Sequence, residues 1–344
     1  MRSEQPQSGE HQPQSGERRH QPDTKVVWVD GDLRKGLDVP SVTVIGCVQA
    51  DVVMSPVTDL PSPGGTLLTE QMTIRVGGAG ANAALASVEA GMQVRLIGCI
   101  GEDQLGGWMR EQLALAGLAD ELVVVPGETS GLTVVLESPA RDRTFLTYLG
   151  VNARWEPAMI PDDALTCDNL LLCDYFVAPR LRGDAARRLL ETAQARGART
   201  FFDTTWDPDG FSRQTRAEVR ELLPSVDVFL PNEVEACALV DRGEDAAQAA
   251  RALQVVSGGW VVVKLGPSGC CAVGPDGTEL AVPAPAVTVA DTTGAGDAFN
   301  AGLVHALANG VSWREALTTA TRFATAIISR PSNDRYGWTT GVKG

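Results

Sequence analysis

The run Asp291-Thr292-Thr293-Gly294-Ala295-Gly296-Asp297-Ala298-Phe299-Asn300-Ala301-Gly302-Leu303 holds the residues with the clearest capacity for chemistry. Phe299, Leu303 and Leu307 recur at i, i+4 and i+8, which predicts a helix that starts near Gly296 and stops at Asn309-Gly310. The Gly294-Ala295-Gly296 turn would then present backbone N–H groups at a helix N-terminus. Such donors, with the helix dipole behind them, bind anions, and small residues let phosphate oxygens approach the backbone. Asp297 falls in the first helical turn beside that anion site. A carboxylate there can accept a proton from an attacking hydroxyl while N–H groups hold a phosphoryl group. An ordinary helix start with a dipole-favoured Asp has the same spacing, so this segment needs support from elsewhere in the chain.

A second glycine turn, Gly77-Gly78-Ala79-Gly80-Ala81-Asn82, also lies between a strand and a helix. It fits a competing chemistry. Gly78-x-Gly80-x-x-Ala83 matches a dinucleotide fingerprint, and Glu102 and Asp103 follow the next strand where its ribose-binding acid would stand. On that reading the chain is an NAD-binding oxidoreductase. Against it, the turn lies far from the chain start, behind a candidate flap strand, and the fingerprint leaves Asp291 and Asp297 without a task. No G-x-x-x-x-G-K-[ST] occurs, which excludes a P-loop NTPase.

Both turns need a strand before them and a helix after them, and the surrounding sequence supplies that alternation. Val42-Thr43-Val44-Ile45-Gly46 reads as a buried strand. Residues 81–90 read as a helix stopped by Gly91, with strand Val94-Arg95-Leu96-Ile97 after it. Downstream, helices at 184–196, 216–223 and 245–255 lead into Thr200-Phe201-Phe202, Val228-Phe229-Leu230 and Val261-Val262-Val263. This predicts an α/β fold: a doubly wound, mostly parallel sheet covered by helices on both faces. One region breaks the pattern. Thr133-Val134-Val135-Leu136-Glu137 and Thr144-Phe145-Leu146-Thr147-Tyr148 flank a turn with Pro139 and Asp142 and read as a β-hairpin, with 69–76 as a third strand beside it. An antiparallel flap on a parallel core predicts a small β-sheet lid over a cleft.

Composition narrows the function classes. Of 344 residues 44% are hydrophobic, enough for a sizeable core. No apolar run approaches the ~18 residues of a membrane span, and the polar, Gln-rich start lacks a signal peptide's apolar stretch, so the expected location is cytoplasmic with no membrane partner. The net charge is −14, from 43 acidic and 29 basic residues, a field that repels nucleic acid and anionic surfaces. It also repels ATP, so phosphates would have to be held by local donors and a divalent ion. None of the seven cysteines forms a C-x-x-C or a His-paired spacing, so they read as buried thiols. Gln-Pro-Gln-Ser-Gly-Glu occurs at 5–10 and again at 12–17, a polar duplication with nothing to bury, expected to be disordered. Val26-Val27-Trp28-Val29 is strand-like and has no assigned place.

Taken together, the segments resemble the ribokinase-like carbohydrate kinases, also called the phosphofructokinase-B (PfkB) family. Both family signatures match, the first from Gly78 through Asn82 and Gly91 to Gly101, the second from Asp291 through Gly294-Ala295-Gly296-Asp297 to Val304. Pro231-Asn232-Glu233-Val234-Glu235 is similar to the family's N-x-x-E motif and Leu265-Gly266-Pro267-Ser268-Gly269 to its nucleotide-side loop. The resemblance implies an irregular extension at 1–40 and a kinase domain at 41–344, with lid strands within 49–76 and 130–150. It implies ATP-dependent phosphorylation of a hydroxyl on a sugar or sugar-like molecule, or on a nucleoside in the nearest alternative. Asp297 would be the base, with Gly294, Ala295 and Gly296 as the anion hole. Asp51, Gly78, Asn82 and Asp203 would contact the acceptor. Asn232, Lys264, Gly266 and Gly269 would lie on the nucleotide side, with Asn232 and Glu235 organising Mg²⁺. Asp291 would support a monovalent-cation site, so K⁺ is an expected option. A homodimer through exposed lid edges is a candidate assembly.

This chain departs from the family pattern at several points. Ala79 stands where ribokinases carry a lysine, Gln49 replaces a sugar-binding asparagine, and Phe176 replaces a glutamate near the sugar. Asp203-Thr204-Thr205-Trp206 keeps only the first residue of a D-x-N-x-R pattern. These changes argue against ribose as the acceptor.

Overall fold

The computed structural model describes residues 39–138, 143–240 and 245–331. The duplicated polar segment, the strand-like piece at 26–29 and the hairpin turn at 139–142 lie outside them. Among the described residues the strands are Ser41–Ile45 (β1), Gln49–Ser55 (β2), Gln71–Gly77 (β3), Gln93–Ile97 (β4), Cys99–Gly101 (β5), Val123–Val125 (β6), Gly131–Glu137 (β7), Arg143–Tyr148 (β8), Asn169–Leu172 (β9), Arg199–Phe202 (β10), Val228–Phe229 (β11), Trp260–Lys264 (β12), Cys270–Val273 (β13) and Glu279–Val282 (β14). The α-helices are Ala79–Glu89 (α1), Gln104–Ala114 (α2), Asp184–Ala195 (α3), Arg213–Leu222 (α4), Glu233–Leu239 (α5), Ala246–Ser257 (α6), Ala295–Ala308 (α7) and Trp313–Ile328 (α8).

The main sheet runs β14-β13-β12-β11-β10-β9-β1-β4. It is parallel from β4 to β12 and ends in the antiparallel β12-β13-β14 meander. Alternate residues of each buried strand feed two separate cores. Val44, Phe201 and Val262 face the side packed by α1, α7 and α8. Ile45, Phe202, Val261 and Val263 face the side packed by α3, α4 and α6. This two-sided burial explains why these strands read as continuous apolar runs rather than as alternating ones.

The small sheet has the order β3-β2-β7-β8, with β2 parallel to β7 and both edge strands antiparallel. Strand β7 alternates buried and half-buried residues along its length, the period-2 signature of a sheet covered on one face. Arg75, Asp51, Thr133 and Thr147 form one cross-strand row, and Glu137 pairs with Arg143 at the far end of the hairpin. Beyond the predicted elements, the structure adds α2, α5, α8, β9 and the β13–β14 hairpin. Among the described residues no helix is long and apolar enough to cross a membrane.

Candidate active site

The functional candidates gather at the carboxyl ends of β1, β9, β10, β11 and β12 and on the two glycine turns. The first turn is shaped by close backbone contact. Gly78 has φ 89° and a side chain there would begin 2.3 Å from the Cys47 carbonyl oxygen. A Cβ on Gly80 would stand 2.4 Å from the Gly46 carbonyl carbon, so β1 and the start of α1 cross with no room for side chains. The N–H groups at this helix start are already engaged. Asp174, just past β9 in a left-handed conformation at φ 60°, accepts from Cys47 N–H at 2.9 Å and from Gly80 N–H at 2.8 Å. Burial pushes its carboxyl up to about 6, against those backbone bonds.

This arrangement corrects the dinucleotide reading. A pyrophosphate would need the donors that Asp174 already holds. The two acids proposed for ribose are also engaged elsewhere. Asp103 caps α2 through Gly106 N–H and accepts from Ser130, and Glu102 accepts from Gly127 N–H. What the first turn contributes is Asn82, one turn into α1 and buried, whose side chain acts on the Asp297 carboxylate and favours its ionised form.

The second turn is open. Gly294 adopts φ 71° as the N-cap of α7. Ala295 N–H closes a turn on the Thr292 carbonyl at 3.2 Å, and Ala298 N–H reaches Gly294 O at 2.9 Å. The N–H groups of Gly294, Gly296 and Asp297 have no acceptor among the described residues. Of the expected anion-hole donors, the Ala295 N–H is thus bonded within the turn, while those of Gly294 and Gly296, together with the N–H of Asp297, are open. Lys264, at the end of β12, brings its ammonium to 3.4 Å from where a Gly296 Cβ would be. Burial works against that charge, yet Asp203, Glu235 and Asp297 outweigh it and raise its pKa. The carboxyl of Asp297 lies well above the usual carboxylate range, pushed there by burial first and then by Asp203 and Asp174, with Lys264 and Asn82 acting in opposition.

Asp203, assigned to the acceptor from sequence, has its carboxylate taken by the protein. Its Oδ2 receives Lys264 Nζ and Asn300 Nδ2, both at 2.5 Å, and its Oδ1 receives Thr205 N–H at 3.2 Å. Asp203 thus holds Lys264 and Asn300 in place.

On the nucleotide side, Asn232 caps α5 in a reciprocal capping box. Asn232 Oδ1 accepts Glu235 N–H at 2.9 Å, and the Glu235 carboxylate accepts from Asn232 N–H at 2.9 Å and Nδ2 at 2.7 Å. Burial, reinforced by Asp203, pushes Glu235 up to about 7, while Lys264 pulls it down. Gly266 and Gly269 have φ 54° and 94°, and a Gly269 Cβ would stand 2.0 Å from Val282 O, so this loop is tightly folded onto β14. A cavity of 320 Å³ lies beside it, lined by Glu233, Asp245, Leu265 and Ser268 among others. A cavity of 540 Å³ opens instead around Ser41, Asp168 and Asp227 at the amino ends of the strands, remote from this chemistry.

Over the cleft, Asp51 projects from β2 against Gly77, with Gln49 Nε2 at 3.4 Å and Arg75 Nε at 3.9 Å. Gln49 also donates to Thr133 Oγ1 at 2.7 Å. Burial raises the Asp51 carboxyl in spite of Arg75. Asp291 meets guanidinium groups on both of its oxygens, Arg75 Nη1 at 2.7 Å and Arg143 Nη2 at 2.5 Å. A carboxylate covered in this way does not fit the cation-supporting role the resemblance implied. Sequence reasoning missed Asp174, Asn300, Arg75 and Arg143. Only Asn300 carried a signal, a lone amide in an otherwise apolar stretch one turn past Gly296.

Comparison with known proteins settles the family. A family model described as pfkB family carbohydrate kinase matches residues 39–336. The chain belongs to this family. A ribokinase of Haemophilus influenzae is 28% identical over 283 residues, covering 80% of this chain and 88% of that protein. A 1-phosphofructokinase of Rhodobacter capsulatus is 31% identical over 268 residues, covering 74% and 80%. Among solved structures, Arabidopsis thaliana ribokinase complexed with ribose and ATP superposes with a TM-score of 0.72 at 26% identity, covering 87% of this chain and 98% of that one. This pfkB protein has the ribokinase fold and is a phosphotransferase with a hydroxyl acceptor. The oxidoreductase reading is thereby set aside.

Proposed function

We propose that this kinase transfers the γ-phosphate of ATP, arriving with Mg²⁺, to a hydroxyl of a sugar-like acceptor, with Asp297 as general base. The observation that carries the reading is the convergence on Asp297. The Asn82 side chain from the first turn favours the ionised form of its carboxylate, and the free N–H groups of Gly294, Gly296 and Asp297 start the helix that bears it. The raised pKa makes the ionised carboxylate a strong proton acceptor. Proximity of Lys264 offsets negative charge where a phosphoryl group would arrive. The acceptor would lie between Asn82 and the lid row of Asp51 and Thr133, whose side chains offer hydrogen-bond acceptors to hydroxyl donors.

Mg²⁺ typically takes one or two carboxylates together with phosphate oxygens and waters. Glu235 fits that pattern: it is held rigidly by Asn232, and each of its oxygens keeps a lone pair for a metal-bound water. No group of three His, Cys, Asp or Glu side chains forms a metal cage among the described residues. When bound, the ion would neutralise charge developing on the phosphates.

An ADP-release screen over hexoses, pentoses, sugar acids and nucleosides tests the proposal. Acceptor-dependent ADP formation from Mg–ATP supports it, and the acceptor class that responds separates a sugar from a nucleoside. Tight NAD binding with no response to ATP in calorimetry would sink it.

A further inference from the structure

Two lid arginines converge on the loop that precedes the open turn. Arg75 comes from β3 and Arg143 from β8, the two edge strands of the small sheet, yet both reach Asp291. The three side chains are nearly enclosed, at 11%, 10% and 6% exposure. Asp291 Oδ1 also accepts Thr293 N–H at 2.8 Å, and Arg143 donates to Thr293 Oγ1 as well. On the other side, the N–H groups of Ala290 and Asp291 are tied to the Ile328 carbonyl at the end of α8. The segment from Asp291 to Thr293 is thus gripped from both sides immediately before Gly294.

Among the described residues, charges that also border this cluster are Asp51 at 3.9 Å from Arg75 and Glu137 at 3.5 Å from Arg143. A cation approaching Asp291 would meet two fixed guanidinium charges before it met an available carboxylate oxygen. A bidentate or forked guanidinium also fixes a carboxylate's orientation as a point charge does not.

We infer that Arg75 and Arg143 are positioning residues that hold the Asp291–Thr293 segment, and with it the anion-hole turn, in the place of a monovalent cation, so that this enzyme works without K⁺. The part concerning turnover rests on the kinase reading above; the part concerning the cation does not.

Two measurements on the full chain test it. The first is thermal unfolding in potassium chloride and in tetramethylammonium chloride at equal ionic strength. The wild-type protein should melt at the same temperature in both. Arg143→Met, and the double variant with Arg75→Met, should melt lower in tetramethylammonium and recover in potassium, because removal of the guanidinium exposes Asp291 to a small cation. A potassium-specific rise in the wild-type melting temperature would overturn the inference, as would variants that show no cation response. This readout needs no acceptor, so it stands even if no acceptor is found.

The second is turnover with the acceptor identified by the screen. Wild-type kcat should be equal in the two salts. Arg143→Met should lose between about 10- and 100-fold in kcat, the scale of a misplaced catalytic loop. The acceptor KM should change much less, and potassium or free guanidinium should restore part of the rate. Arg143→Lys keeps the charge and serves if the methionine variant fails to fold; it should retain more kcat than Arg143→Met can. A wild-type enzyme that loses most of its kcat without potassium, or an Arg143→Met enzyme with full kcat, would refute the positioning role.

Discussion

Gly77-Gly78-Ala79-Gly80 and Gly294-Ala295-Gly296 both lead from an extended segment into a helix, yet their donors are used differently. At the first turn the Gly80 N–H is held by the buried Asp174, and the glycines exist because backbone meets backbone at Gly46 and Cys47. At the second, three N–H groups remain open and a largely enclosed ammonium stands beside them. Glycine content therefore does not identify an anion site. What matters is whether a protein carboxylate already holds the donors.

The comparison can be broken most decisively at Asp297. Asp297→Asn keeps size and shape and removes the proton acceptor, so turnover should fall by ~10²–10⁴-fold with much smaller changes in either KM. Retention of more than about a tenth of wild-type turnover while chemistry is rate-limiting would reduce Asp297 to a helix-start residue.

A paired substitution sharpens the contrast. Gly80→Ala drives a Cβ into the Gly46 backbone, and it should cost about 3 kcal/mol in denaturant unfolding, at the upper end of overpacking effects. Gly296→Ala meets only the flexible end of Lys264 and should leave stability within about 1 kcal/mol. Equal destabilisation by both would show that the two turns are structural alike.

Asp174→Ala leaves the N–H groups of Cys47 and Gly80 buried without an acceptor, at about 1–3 kcal/mol for each donor. The pH dependence follows from the raised carboxyl. Because Asp174 binds its proton more tightly when folded, its contribution to stability is fully present below the ordinary Asp value of 3.8 and is lost as pH rises through about 6. Wild-type stability should therefore decline across that window relative to Asp174→Asn, and parallel pH–stability curves would contradict it.

The smallest effect is a shift rather than a loss. The acid limb of the turnover profile should lie above the usual carboxylate range, since Asp297 must be ionised to act and burial raises its pKa. An acid limb at an ordinary carboxylate position would assign it to another group.

Much of this architecture could be read from sequence for a simple reason. Runs such as Thr200-Phe201-Phe202 and Val261-Val262-Val263 are apolar on successive residues because each strand feeds two cores. The hairpin was legible because β7 is covered on one face only. Helix α8 was not singled out, although its capping box, Ser312 with Glu315, is a local pattern that marks the start. The β13–β14 hairpin begins with Cys270-Cys271-Ala272-Val273, too short and mixed to separate strand from helix. At the site, Asn82 and Asp297 belong to contiguous motifs. The Asp174–Gly80, Arg75–Asp291, Arg143–Asp291 and Asn300–Asp203 contacts join residues 94, 216, 148 and 97 positions apart. No local pattern encodes such pairs. The same distance hid the protein partner of Asp203, Lys264, which arrives 61 residues later.

The largely enclosed cations around the cleft have a kinetic consequence. Lys264, Arg75 and Arg143 each sit against carboxylates, so they add little to the field seen from a distance, and the chain as a whole carries −14. A nucleotide polyanion diffusing toward such a surface is repelled once it comes within a Debye length, about 10 Å at 0.1 M salt. Added salt should therefore speed its arrival and leave its departure, governed by short-range contacts, nearly unchanged. Capture here depends on the last few ångströms of fit, and ionic strength sets how often an encounter gets that far.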